Sequence, residues 1–500
     1  MMAAFELDTT RPLGDLVPGL IGDRRLAALP IAGLALDSRK VRSGDLFLAY
    51  PGETGDGRAY IEQAIAAGAV AVLAEAGVEN IQRRVPVLEI AGLRLEAGRI
   101  AARFHHDPSA AMAVVGVTGT NGKTSCTQLL GQALRLAGRS CGVIGTLGNS
   151  LDGSLGGGGL TTPDPLALQS QLALWRAQNV RDVAMEVSSH GLVQGRINGT
   201  HFRGAIFTNL TRDHLDFHGS MENYGAAKAA LFDTPGLQFA VLNHDDLFGA
   251  ALAERLRTRV PNIVTFGFGE GAVVRATAAT YRADGVDALV QTPWGALQLR
   301  SGLLGDFNLS NLLAVVAALG ALGVDARTIE AIAPQLQPIA GRMQRVPGAV
   351  GIEVIVDYAH TPDGLEHALT ALRQHCHGEL WCVFGCGGDR DRGKRPLMGA
   401  LAQKLADRVV LTSDNPRTED PAAIIAAIYT GMNPAGMTGA VHVEADRRSA
   451  IEFAIANAGA GDVILLAGKG HEDYQLIGGE VRPFSDSAVA GAALSARART

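Results

Sequence analysis

The sequence predicts an α/β protein of three domains, and three observations carry that reading. Short apolar runs of strand length alternate with helical patterns, as parallel sheets with crossover helices require. Nearly every apolar run stops at polar residues or glycines, where open α/β sheets place ligands. The chain of 500 residues is also too long for one ordinary core and favours about three domains.

Two punctuated stretches set the boundaries. One is His105-His106-Asp107-Pro108-Ser109, and the other spans 334–341 with Pro334, Pro338 and Gly341. The expected domains are therefore 1–107, 108–338 and 339–500. The first is the smaller α/β domain. The second and third are each expected to hold a parallel sheet, the third in a Rossmann-like α/β domain. A run of four glycines at 156–159 reads as a loop tip.

Composition narrows the function classes. Apolar residues make up 47% and charged residues 19%, which supports packed cores and excludes collagen-like or disordered chains. A net charge of −6 argues against binding nucleic acid through a broad basic surface. Five cysteines (Cys126, Cys141, Cys376, Cys382 and Cys386) form no CxxC pair, so neither a disulfide framework nor a zinc ribbon is expected. Cys382 and Cys386 flank a strand-like run and read as small buried apolar residues. The longest apolar run, 64–74, is shorter than the roughly 20 residues of a membrane span. No basic start with an apolar stretch and cleavage site opens the chain, so the cytoplasm and a monomer are the expectations.

In the middle domain, 113–117 reads as a buried strand. Cys126, Leu129, Leu130, Ala133, Leu134 and Ala137 then recur at helical spacing, with Gly138 as the stop. Residues 183–185, 205–207 and 239–242 are further strands, tipped by Glu186, by Thr208-Asn209 and by Asn243. The last domain repeats the scheme. Its strands at 354–356, 380–384, 409–411 and 463–466 lead into Asp357-Tyr358-Ala359-His360, Gly387-Gly388-Asp389-Arg390, Asp414-Asn415-Pro416-Arg417 and Gly468-Lys469-Gly470-His471-Glu472.

Gly119-Thr120-Asn121-Gly122-Lys123-Thr124 falls between a predicted strand and a predicted helix. Backbone N–H groups there can cradle phosphates, Lys123 can reach the outer ones, and the Thr124 hydroxyl suits Mg²⁺. Val117 stands where the strict P-loop has glycine, and such a tripeptide alone could be a structural turn.

The loop resembles that of the Mur ligase superfamily, and further motifs follow in order across nearly the whole chain. They are 185–192 (Met-Glu-Val-Ser-Ser-His-Gly-Leu), 208–216 (Thr-Asn-Leu-Thr-Arg-Asp-His-Leu-Asp), Tyr224-Gly225-Ala226-Ala227-Lys228, Gly305-Asp306-Phe307-Asn308-Leu309-Ser310-Asn311, Gly341-Arg342 and 357–362. The resemblance implies ATP as co-substrate and Mg²⁺ held by Thr124 and Glu186, with His214 at a second ion. It implies a carbamylated Lys228 as an anionic oxygen donor, where a bland reading makes that residue a solvated or salt-bridged helix lysine. Lys123, Glu186, His214 and Lys228 become the catalytic candidates. Gly119, Thr120, Asn121, Gly122, Lys123, Thr124, Asn308 and Arg342 become ATP contacts, although Asn308 and Asn311 could instead cap a helix. Asp357 and His360 are weaker neighbours of that pocket.

The flanking domains choose among family members. Leu36-Asp37-Ser38-Arg39 and 44–49 resemble a UDP-binding domain, though Asp-Ser-Arg alone could be a turn. Leu36, Ser38, Thr161, Thr162, Ser188, Gln194 and Arg196 then match contacts to a UDP-N-acetylmuramoyl dipeptide. Asp414, Asn415, Pro416 and Arg417, with Arg390, Gly468 and Glu472, match selection of meso-2,6-diaminopimelate, whose distal carboxylate a guanidinium can grip bidentately. A lysine-adding or folate-extending relative, or a non-catalytic muropeptide sensor, stays the alternative at this level.

Overall fold

The computed structural model describes residues 10–53, 55–77, 84–151, 159–282, 284–348, 351–433 and 441–499, so 156–158 of the glycine run lie outside the described residues. It divides into two compact units, one of 1–242 with 246–264 and one of 243–245 with 265–500.

The first unit opens with a four-stranded parallel sheet in the order Gly33–Ala35, Asp45–Ala49, Ala71–Glu75, Val87–Ile90. Parallel strands are covered on both faces, so they read as unbroken apolar runs rather than alternating ones. Leu46, Leu48 and Leu73 pack on one side with Leu93, Ile100 and Phe104 of the helix Leu93–Phe104. Phe47, Ala49, Val72 and Ala74 pack on the other with Ile61 and Ala64.

The same unit holds five further parallel strands, ordered Phe239–Asn243, Phe202–Phe207, Ala113–Thr118, Asp182–Glu186, Cys141–Ile144. The first of these in the chain, Ala113–Thr118, is central and fully buried. From it the chain runs to Cys141–Ile144 on one side, and from Asp182–Glu186 it crosses to Phe202–Phe207 on the other, so the strand order reverses here and the carboxyl ends form a crevice for ligands. The helix Lys123–Leu136 starts there and ends before Gly138, whose φ of +76° suits a left-handed stop.

The second unit begins with an antiparallel meander of Val274–Arg282, Gly285–Gln291 and Leu297–Ser301. The long helix Asp306–Ala321 follows, its residues 311–320 entirely buried. The rest is a six-stranded sheet ordered Gln344–Arg345, Glu353–Asp357, Val463–Ala467, Leu380–Phe384, Arg408–Leu411, Val441–Val443, antiparallel only at the first pair. Helices Pro362–Arg373, Lys394–Leu405 and Pro421–Tyr429 cover one face, and Arg447–Asn457 with Asp486–Arg497 cover the other. All eight strands expected in the last two domains are present. The meander was not expected, although Val286, Ala288 and Val290 alternate as a half-buried strand does. The five cysteines are free, and all but Cys376 are buried.

Candidate functional site

In the first unit, the phosphate loop is strapped to the neighbouring strand tip. Thr120 donates its N–H to the Asn209 carbonyl at 2.9 Å, and Asn121 donates its N–H to Asn209 Oδ1 at 2.9 Å. The Thr208 hydroxyl donates to the Asn121 carbonyl at 2.6 Å, and Thr211 donates its N–H to Thr120 Oγ1 at 3.0 Å. Gly119 is required twice over: its φ is +148°, and a Cβ there would lie 1.8 Å from Thr208 Oγ1. Gly122, at φ +84°, turns the chain into the helix, so the positive helix end faces the loop. Lys123 folds back, its ammonium donating to the carbonyls of Gly119 and Thr120 at 2.9 and 2.8 Å.

Glu186 ends the strand beside the loop strand, in register with Val117, and is 1% exposed. Its Oε2 accepts from the Thr124 hydroxyl at 3.0 Å and from the Thr146 hydroxyl at 3.2 Å, and its Oε1 accepts from the Thr146 N–H at 2.9 Å. A hydroxyl and a carboxylate in contact beside a phosphate loop are hard oxygen donors, and that set fits Mg²⁺. Among the described residues no cluster of three or more His, Cys, Asp or Glu side chains could hold a metal without such outside ligands.

Lys228 is buried at 1% exposure in the helix Met221–Ala229. Its ammonium donates to the Gly119 carbonyl at 2.7 Å, the oxygen that Lys123 also uses, and lies 4.2 Å from the Tyr224 ring centroid. Burial, then repulsion from Lys123, holds its pKa well below the ordinary lysine value of 10.5. The bland reading of a solvated lysine is thereby overturned. His214 adopts φ +51° beside Asp213, with 3.3 Å between Nε2 and Oδ2, and packs edge-on to His190. Burial, followed by the charges of Lys123 and Lys228 against the pull of Asp213, lowers its pKa.

Five of the residues expected at the dipeptide form one network. The Thr162 hydroxyl bridges the Glu186 carbonyl and Ser188 Oγ, both at 3.1 Å, while Thr161 Oγ1 lies 3.1 Å from Thr146 Oγ1. Arg196 donates to the Thr162 carbonyl at 2.9 Å and to Gln194 Oε1 at 2.7 Å. Gln194 in turn donates to Glu53, a residue the sequence reading missed. Ser38 donates to Gln63 at 3.0 Å, and Leu36 is partly buried against the N-terminal core. Asp37 caps the short 3₁₀ turn Ser38–Lys40, so Asp-Ser-Arg is a turn as well as a candidate contact.

The second unit gathers the other candidates at the carboxyl ends of its parallel strands. Asn415 Nδ2 donates to Glu472 Oε2 at 2.8 Å, and Asn415 Oδ1 accepts the Leu476 N–H at 2.9 Å. Arg417, at φ +54°, donates to the Gly388 carbonyl at 2.8 Å. A Cβ on Gly387 would lie 2.9 Å from Arg417 Nη1 and 3.8 Å from Arg390 Cγ, so both arginines border that glycine. Gly468, φ +114°, leaves room for Asp414, whose Oδ2 would lie 2.7 Å from an added Cβ. Pro416 fixes the turn between Asn415 and Arg417. Arg342 stacks 4.6 Å from the Tyr358 ring, next to the buried Asp357, which accepts N–H groups of Met343 and Ala359 at 2.7 and 2.8 Å. His360 is exposed, its ring bonded to the Tyr358 carbonyl. Asn308 donates to the Leu304 carbonyl at 2.9 Å, and Gly305 is the N-cap, so neither Asn308 nor Asn311 caps the helix.

A phosphate-binding loop on a parallel sheet, a buried carboxylate beside it and a second α/β domain with a charged cluster define a P-loop nucleotide-using enzyme. Three family models match: "Mur ligase family, catalytic domain" at 30–105, "Mur ligase middle domain" at 117–319 and "Mur ligase, glutamate ligase domain" at 341–470. The chain is 50% identical over 473 residues to a protein of Chromobacterium violaceum, covering 94% of this chain and 95% of that one. It is 52% identical over 471 residues to one of Pseudomonas aeruginosa, covering 94% and 96%. Both relatives are named UDP-N-acetylmuramoyl-L-alanyl-D-glutamate–2,6-diaminopimelate ligase. A solved structure of an enzyme with that name matches with a TM-score of 0.74 at 36% identity, covering 98% of this chain and all of that one. The MurF ligase of Thermotoga maritima, solved with ADP, shares the fold at a TM-score of 0.63 and 19% identity, covering 93% and 98%. The chain belongs to the Mur ligase family and has its three-domain α/β fold. No helix among the described residues is long and apolar enough to cross a membrane.

Proposed function

We propose that the chain is an ATP-dependent ligase that adds meso-2,6-diaminopimelate to UDP-N-acetylmuramoyl-L-alanyl-D-glutamate in the cytoplasm, a step of peptidoglycan precursor synthesis. The observation that carries it is the Asp414–Arg417 turn, bonded through Asn415 to Glu472 and bordered by Arg390. Carboxylate-reading guanidiniums and an ammonium-reading carboxylate suit the distal centre of diaminopimelate, which bears both charges. Two near full-length relatives with that name support the reading. The assignment of domains 1–107, 108–338 and 339–500 to the UDP-dipeptide, ATP and amino acid belongs to the same proposal.

Amide formation in water is uphill, so the D-glutamate γ-carboxylate takes the γ-phosphoryl group of ATP to give an acyl phosphate and ADP. The diaminopimelate amine then attacks that carbonyl carbon, and the tetrahedral intermediate expels inorganic phosphate with loss of a proton. The loop N–H groups and Lys123 hold the phosphates. Arg342 and Asn308 stay the candidate nucleotide contacts of the second unit. Thr124 and Glu186 would hold one Mg²⁺ and His214 would help hold a second, with carbamylated Lys228 as a further oxygen donor, and such ions would offset the repulsion between ATP and the carboxylate. A neutral Lys228 amine can add CO₂ and release one proton, becoming an anionic carbamate ligand. Thr161, Thr162, Ser188, Gln194 and Arg196, with Leu36 and Ser38, orient the UDP-linked dipeptide.

Phosphate release with ATP, Mg²⁺ and the UDP-linked dipeptide tests this directly. Turnover with meso-diaminopimelate and little with L-lysine is expected. Preference for lysine overturns the selectivity, and no release with either amine overturns the ligase reading.

A further inference from the structure

Lys469 took no part in the site as read from sequence, yet it is completely buried, at 0% exposure, within the charged cluster of the second unit. Its ammonium donates to Asn415 Oδ1 at 3.2 Å and to Glu472 Oε2 at 3.0 Å, and stands 3.9 Å from Asp414 Oδ1. The Tyr474 ring lies 5.5 Å away on another side. Burying an ammonium is costly unless it is paired and hydrogen-bonded, and an apolar side chain of equal volume would pack more cheaply. All three oxygens facing it belong to residues that the proposed function gives to the amino acid.

The bonding pattern assigns each oxygen. Glu472 Oε2 is taken twice, by Lys469 and by Asn415 Nδ2, while Oε1 accepts no hydrogen bond among the described residues. Asn415 cannot flip its amide, because Oδ1 already receives Lys469 and the Leu476 N–H. The turn is closed by the Glu472 N–H donating to the Lys469 carbonyl at 3.0 Å. The Lys469 ammonium stands between the Asp414 and Glu472 carboxylates and offsets the repulsion of their like charges.

We infer that Lys469 is a specificity-determining positioning residue, which holds Glu472 turned so that Oε1 receives the distal ammonium of the incoming diamino acid. This rests on the diaminopimelate reading above. Lys469 touches no reacting atom. It acts through Glu472 and Asn415, so its loss weakens recognition of the distal amine rather than phosphoryl transfer.

The test compares meso-diaminopimelate with 2-aminopimelate, which keeps the distal carboxylate and lacks the distal amine. Wild-type enzyme is expected to favour diaminopimelate by at least about 100-fold in kcat/KM, since a site built for a polar group rejects an analogue without it. In Lys469→Met the preference is expected to fall to about tenfold or less, mainly through a higher KM for diaminopimelate, with the KM for ATP within about twofold. Lys469→Gln keeps a donor and removes only the charge, and carries the same comparison if the methionine variant does not fold. A folded variant that retains the wild-type preference overturns the inference alone. A wild type that does not use diaminopimelate overturns the parent reading and this inference together.

Discussion

Glu186 is satisfied by hydroxyl and amide donors from Thr124 and Thr146, so the fold orients this carboxylate before any ion arrives. Glu186→Gln removes the negative charge that is proposed to hold the metal but keeps the side-chain shape. It is expected to lower kcat by about 100-fold or more and to raise the Mg²⁺ concentration needed for half activity, read by phosphate release across a Mg²⁺ titration. Lys228 is buried at a cost in stability. Its amine is held below 10.5 in the fold, so the unfolded chain binds the proton more readily. The stability lost to this group is greatest at pH below the folded value and recovers as pH rises towards 10.5. Lys228→Met is therefore expected to raise Tm at pH 7, by less at pH 10, while abolishing turnover; calorimetry at the two pH values checks it.

At the scale of elements, the strand–loop–helix around Gly119 works because Thr208–Thr211 hold its outer side. Gly119→Ala would push a methyl into Thr208 and move the loop N–H groups that are proposed to cradle phosphate. Nucleotide affinity should fall at least about tenfold while the secondary structure persists, measured by nucleotide titration and circular dichroism. The turn 468–472 has a double duty. A Cβ on Gly341 would lie 2.0 Å from the His471 N, and one on Gly470 would lie 2.7 Å from Tyr358 Cβ. One side of the turn thus abuts the Arg342–Tyr358 stack, and the other holds Asn415 through Lys469. Both close approaches need glycine.

At the scale of the molecule, the last helix is tied to the second unit by a fully buried ion pair. Arg447 meets Asp486 through two hydrogen bonds of 2.7 Å, both side chains 0% exposed. Arg447 also donates to the carbonyls of Ser413 at 3.4 Å and Ala467 at 3.0 Å, which immediately precede Asp414 and Gly468. Asp486→Ala leaves a buried guanidinium unpaired and is expected to destabilise that unit by about 3–5 kcal/mol, seen as a lower denaturant midpoint. Replacing both partners with well-packed apolar residues should cost far less. The tail beyond residue 485 carries no motif, yet its first residue braces, through Arg447, the strand ends that precede Asp414 and Gly468.

The sequence by itself determined the α/β class, the eight parallel strands of the two larger domains and the loop at 119–124. Those signals are local: apolar runs, helical spacing and glycine placement are written in neighbouring residues. The ordered motifs likewise marked most candidate contacts. Only the tertiary structure decided what lay between distant segments. Glu53 and Gln194, 141 residues apart, meet because the N-terminal sheet packs in the same unit as the strand tips. Lys469 and Asn415 meet because their strands end side by side around Leu380–Phe384, and Lys228 loses its solvent only when its helix closes on Gly119. Burial and charge pairing depend on which chain segments share a space, and no local pattern encodes that.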